Sequence, residues 1–133
     1  MTASLVFCSL ALEGSAEEKK EAVKITFDEH VAPILRAKCS ACHNTSKKEA
    51  DLDMSNFTNL MQGGGSGAVI EPGSADDSYL YLLVSHESEP FMPPKSDKLP
   101  DEMINTIRDW IDGGALENAG SKAFVPKKPK VSL

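Results

Sequence analysis

Cys39-Ser40-Ala41-Cys42-His43 is the segment whose residue types and spacing carry chemistry. In a helix, positions i, i+3 and i+4 share one face. Two thiols on that face can each add to a vinyl group along one porphyrin edge, and the next residue then aims an imidazole at the iron. C-x-x-C-H is the attachment pattern of haem c. On this reading Cys39 and Cys42 are the thioether anchors and His43 is the proximal iron ligand. Small Ser40 and Ala41 leave room for the ring edge. Two other chemistries use such cysteines. A structural zinc site wants four Cys or His ligands, usually as two spaced pairs, and His30 and His86 stand apart from each other. A thioredoxin-like redox pair needs a βαβ setting, and no strand pattern supplies one.

A haem with one protein ligand leaves a sixth position, for which Met is the usual electron-transfer partner. Met54, Met61, Met92 and Met103 are available. Met61 and Met103 fall in helical apolar stripes, where Met commonly fills a core. Met54 follows Leu52 in a short turn and reads as core as well. Met92 lies in Pro90-Phe91-Met92-Pro93-Pro94, where no periodicity explains an apolar side chain and the prolines stiffen the loop. It comes 49 residues after His43, enough chain to cross to the opposite haem face. Met92 is therefore the candidate second iron ligand, against a plain reading as a loop Met tucked over the core. His86 is the rival. Its plain reading is an exposed histidine favoured by a helix C-terminus. Leu35, Ile70, Pro72, Leu83, Phe91, Ile107 and Trp110 are the candidate porphyrin contacts; ordinary helix packing is the competing explanation for each.

The elements that must position these groups are helical. Thr26-Phe27-Asp28-Glu29 fits a capping box, and Val31, Ile34, Leu35 and Cys39 share one helical face. Pro33 either kinks this helix or opens a second stretch running into Cys39. Ser55 is the expected cap of a short helix over 56–62. The run Gly63-Gly64-Gly65-Ser66-Gly67 ends it. That run lacks a phosphate-loop Lys-Ser/Thr ending and suits close backbone approach to something flat and bulky. A third helix is expected over 76–86, capped by Asp76 or Ser74. Prolines exclude regular structure over 87–99. The last helix opens at Pro100, has Asp101 and Glu102 at its positive end, buries Met103, Ile104, Ile107, Trp110 and Ile111, and stops at Gly113-Gly114. No strand pair appears, so the expected class is all-α.

The chain has 133 residues, one domain's worth. Aromatics are 6% of it, a thin supply of large core groups that a porphyrin plate would supplement. Residues 17–120 carry 10 basic and 19 acidic residues, while the last 13 carry four lysines and no acid. An acidic body excludes a nucleic-acid-binding surface and favours a basic-surfaced partner. No apolar run reaches the length of a membrane span. Residues 1–16 read as a shortened export signal ending in Gly14-Ser15-Ala16, without its basic start. That implies a periplasmic or otherwise exported location. Loss of Cys8 with this segment leaves Cys39 and Cys42 as a pair.

The ordered set Val31-x-Pro33-Ile34-Leu35, Cys39-x-x-Cys42-His43, Leu52-x-Met54-Ser55, Pro72-Gly73, Leu80-Tyr81, Met92-Pro93-Pro94-Lys95 and Trp110-Ile111-x-Gly113-Gly114-Ala115 resembles the planctomycete-type cytochrome c domain, over residues 25–116. The resemblance implies a small class I-like helical fold around one covalent haem c, with His43 and Met92 at the positions of the axial ligands. It implies electron transfer rather than catalysis, with a redox partner protein or a fused domain. The segment 117–133 resembles the basic Lys/Pro-rich linker that leads into a WD-repeat propeller in such proteins. A haem-based sensor and an electron-entry domain of a larger oxidoreductase are the alternative readings.

Overall fold

The computed structural model describes residues 24–122. The export-signal reading of residues 1–16, the place of Cys8 and the lysine cluster beyond Lys122 lie outside the described residues.

Thr26 is extended, and its hydroxyl accepts the Glu29 N–H at 3.3 Å, as a capping box requires. The return bond is made differently. The Thr26 N–H donates to His30 Nδ1 at 2.9 Å, so His30, not Glu29, closes the box. A single wide π turn, Phe27–Val31, follows and runs directly into α1 (Ala32–Lys38). Pro33 sits in the first turn of α1, where its missing N–H costs nothing. A 3₁₀ turn spans Glu49–Asp51, α2 is Phe57–Gln62, α3 is Tyr79–Val84 and α4 is Asp101–Asp112. The described residues contain no strand; two isolated antiparallel bridges, His43 with Lys48 and Gly64 with Gly67, are their only β pairing. The fold is all-α.

Three boundaries differ from the sequence expectation. Asn56, not Ser55, caps α2, accepting the Asn59 N–H at 2.8 Å. Ser55 is diverted to Asp53. α3 starts three residues late because Ser78 holds the chain back. Its buried hydroxyl donates to Ser74 O at 2.8 Å and accepts the Glu71 N–H at 2.8 Å. Competition of this kind between a serine side chain and the backbone favours turn over helix. α3 also ends before His86, which takes a left-handed backbone (φ 62°).

α4 forms close to its pattern: Ile104, Ile107, Trp110 and Ile111 are buried, the last three completely, whereas Met103 is half-buried and Pro100 is the N-cap rather than the first helical residue. It packs on the π turn and on α3. Phe27 bridges the core, with its ring 5.6 Å from Phe57 and 6.0 Å from Trp110. Trp110 Nε1–H donates to Leu116 O at 2.9 Å, and the Phe27 N–H donates to the same carbonyl at 2.7 Å. One buried carbonyl thus ties the start of the helical body to its end. Leu52, Met54, Val69, Leu80, Val84 and Leu99 belong to this buried cluster and also line a cavity.

Candidate haem c site

The segment after α1 keeps turning. Cys39 N–H donates to Leu35 O at 2.8 Å, and both Cys42 N–H (3.2 Å) and His43 N–H (3.0 Å) donate to Cys39 O. These bonds hold residues 39, 42 and 43 in the i, i+3, i+4 relation on which the attachment chemistry depends. Cys39 and Cys42 are free thiols, both half-buried. Burial, reinforced by the neighbouring Cys42, pushes the Cys39 thiol up to about 11.

His43 is 9% exposed. Its Nδ1–H donates to Glu49 O at 3.0 Å, which leaves Nε2 as the nitrogen with a free lone pair. A carbonyl behind an imidazole fixes ring orientation and tautomer and raises the basicity of the ligating nitrogen. The Glu49 carbonyl is itself placed by local structure. Glu49 N–H donates to Cys42 O at 3.1 Å, and Ala50 (φ 56°) and Asp51 (φ 60°) turn the chain sharply. Met54 N–H donates to His43 O at 2.9 Å. Between these contacts stands Asp53, whose carboxylate accepts from Ser55, Thr45 and Asn59. Those bonds, the Ser55 hydroxyl foremost, hold its carboxyl well below the usual range, at about 2.

Cys39, Cys42, His43, Leu83 and Met92 all line one cavity of about 470 Å³, within the size range of sites for bound organic groups. Leu35, Ile70, Pro72, Phe91, Ile107 and Trp110 are not among its lining residues. Leu35, Ile70, Ile107 and Trp110 are buried in the core instead, and Phe91 is 44% exposed. The cavity has walls that the sequence reading did not name, Leu52, Val69, Leu80, Val84 and Leu99, with Pro90, Pro93 and Pro94 around Met92; the run from Gly64 to Gly67 lines it as well. Among its lining residues Lys38 is the one with a charged side chain.

The glycine run makes the close approach its composition suggested, although to backbone. A Cβ on Gly64 would lie 2.7 Å from Ala50 O, and the Gly65 N–H donates to that oxygen at 2.9 Å. The run therefore packs against the same turn that orients His43.

Met92 enters from the opposite end of the sequence. It is half-buried, its N–H donates to Leu83 O in α3 at 3.1 Å, and its carbonyl accepts from His86 Nε2 at 3.3 Å. Met54 lines the cavity as well, but its backbone is bonded to His43 itself, whereas Met92 is bonded to α3.

The donor set fits haem c. Two thiols stand one turn apart, the adjacent imidazole has one nitrogen uncommitted, a thioether stands on another wall, and the remaining surface is largely apolar. Among the described residues, no group of three or more His, Cys, Asp or Glu is arranged to hold a metal ion by itself, so nothing in them supports the zinc alternative. No described helix is long and apolar enough to cross a membrane.

Three comparisons with known proteins bear on the chain. No curated protein matches the chain. A solved structure, Kuenenia stuttgartiensis hydrazine synthase, is similar over 77% of this chain at 21% identity and a TM-score of 0.49. The similar region spans 17% of that chain. Residues 39–96 match the family model described as planctomycete cytochrome C. That family implies a covalently bound haem c, and Cys39, Cys42, His43 and Met92 all fall inside the matched span. Over residues 39–96, then, the chain is similar to the planctomycete cytochrome C family.

Proposed function

We propose that the domain is a one-electron carrier with a single haem c, joined through Cys39 and Cys42 and ligated by His43 and Met92. The observation that carries the reading is the commitment of His43 Nδ1 to Glu49 O, which leaves Nε2 for the cavity that both thiols and Met92 share. When bound, haem c supplies an iron that takes up and releases one electron.

The chain's own residues do the rest. Cys39 and Cys42 anchor one porphyrin edge. His43 presents Nε2, with its ring held from behind by Glu49 O. Met54 is tied through its backbone to His43, whereas Met92 is tied to α3, so Met92 would be the side chain that holds the iron together with His43. Leu52, Leu80, Leu83 and Leu99 keep water from the metal and lower the local dielectric, which tunes the potential. With His43 and Met92 both holding the iron, the group would supply one-electron transfer rather than oxygen or peroxide chemistry.

In this reading residues 25–116 are the functional module and the flanking segments serve export and connection. The acidic body favours a basic-surfaced redox partner or a fused domain, including the WD-repeat propeller that the 117–133 resemblance implies.

Met92→Ala in holoprotein, made with haem c maturation machinery, tests the ligation. The ferric sulfur-to-iron charge-transfer band disappears and the reduced protein binds carbon monoxide rapidly. A band that survives the substitution refutes Met92 as ligand. Haem that passes into acid–acetone refutes covalent attachment. Rapid carbon monoxide binding by the reduced wild type favours the sensor alternative.

A further inference from the structure

We propose that His86 is a positioning residue for Met92, clasping the 90–94 loop over the cavity so that the thioether stays on the metal. The proposal rests on the reading of Met92 as an axial ligand.

His86 lies two residues beyond α3 with φ 62°. Left-handed backbone just past a helix end is ordinarily glycine's place, and non-glycine residues adopt it infrequently. A histidine there gives up backbone ease, and the structure shows what its side chain does. The imidazole lies flat on the Phe91 ring, with centroids 4.7 Å apart and planes 12° from parallel. Its Nε2–H donates to Met92 O at 3.3 Å. On the other side of the same residue, Met92 N–H donates to Leu83 O at 3.1 Å.

Both peptide groups that flank the Met92 side chain are therefore held, one by α3 and one by the residue just past its end. Only the side-chain torsions of Met92 remain free. Phe91 also gains an explanation. It is 44% exposed and outside the cavity lining, so packing in the core does not account for it. Its ring is the platform on which His86 rests.

A neutral thioether is a weak ligand, and an exogenous one replaces it when the loop swings away. A clasp on the loop backbone slows that swing. If His86 merely packs on an exposed ring, its removal leaves the metal's ligands undisturbed.

The test compares His86→Gly, His86→Gln, Phe91→Ala and Met92→Ala holoproteins with wild type. His86→Gly keeps the left-handed backbone without strain and deletes the clasp. His86→Gln returns a donor near the place of Nε2. Loss of one hydrogen bond and one ring contact predicts about a tenfold faster association of carbon monoxide with reduced His86→Gly. The sulfur-to-iron band weakens in its ferric form, with the haem still covalent and helix content unchanged. Phe91→Ala moves both readouts in the same direction by less, and His86→Gln recovers most of the loss.

Association within twofold of wild type in His86→Gly, alongside a fast Met92→Ala, overturns the clasp and leaves the ligand assignment standing. If Met92→Ala is itself indistinguishable from wild type, the ligand assignment fails and the clasp with it. Should His86→Gly not fold, Phe91→Ala decides alone: unchanged association refutes the proposal.

Discussion

Replacement of Asp53 by alanine probes the loop that carries the cavity wall. Asp53 is 5% exposed and lies between Leu52 and Met54, two lining residues. One carboxylate oxygen accepts from Thr45 Oγ1 and Asn59 Nδ2, each at 3.0 Å; the other accepts the Ser55 N–H at 2.8 Å and the Ser55 hydroxyl. The Ser55 hydroxyl, the Ser55 amide, Thr45 and Asn59 together lower its pKa to about 2 against the partial opposition of burial. Taken whole, a shift from 3.8 to about 2 corresponds to about 2 kcal/mol. Part of that shift is the same hydrogen bonding that the stranded donors lose, so about 1 kcal/mol is the pH-dependent part. Stranding the Ser55 and Asn59 donors adds about 1 kcal/mol more. The pKa is lower in the folded chain than in the unfolded one. Its contribution is therefore complete above pH 4 and is lost as the pH falls toward 2. Asp53→Ala is expected to cost about 2 kcal/mol near pH 6, roughly a 10 °C drop in Tm for a body of this size. The cost falls to about 1 kcal/mol at pH 2. Urea unfolding of wild-type and variant holoprotein, followed by circular dichroism at both pH values, measures the difference; all other carboxylates are common to the two proteins and cancel. A gap that stays constant or widens in acid refutes the reasoning.

Two further outcomes follow from contacts around the same turn. Gly64→Ala sets a Cβ 2.7 Å from Ala50 O, a backbone atom that cannot step aside; the expected cost is about 1–3 kcal/mol, read as a lower Tm, with a shifted reduction potential because Glu49 O moves against His43. An unchanged potential with a lowered Tm would show that the turn does not communicate with the imidazole. In folded protein without haem, Cys39, pushed to about 11 mainly by burial, alkylates at pH 8 about a hundredfold more slowly than an ordinary thiol. Mass-resolved alkylation of a sample with intact circular dichroism checks this, and an unsuppressed rate at Cys39 contradicts the burial.

What the sequence discloses here is whatever is encoded locally. C-x-x-C-H is legible because its geometry is a property of one turn, closed by the bonds from Cys42 and His43 to Cys39 O and from Cys39 and Ser40 to Leu35 O. α4 is legible because its periodicity, its opening acids and its closing glycines agree. The start of α3 is not, because Ser78 answers to Ser74 and Glu71, partners outside the helix. The cap of α2 moves from Ser55 to Asn56 for a like reason: Asp53 recruits Ser55 first.

Cavity lining is the hardest feature to read, since apolar periodicity says that a side chain is buried without saying against what. Val69 and Ile70 are both buried in the core cluster, yet Val69 also lines the cavity and Ile70 does not, and nothing in their chemistry distinguishes them. Trp110 and Leu35 are likewise buried in the core cluster without lining the cavity. His86 marks the limit of local reading. Its place near the end of an apolar helix suggests an exposed residue favoured by the helix dipole, and only the return of the chain through Phe91 and Met92 brings it a stacking partner and an acceptor. The two walls of the cavity therefore differ in kind. The His43 wall is built from contacts within a dozen residues and is written in the motif; the Met92 wall is built by loop return onto α3, and its geometry becomes visible only once the chain has folded.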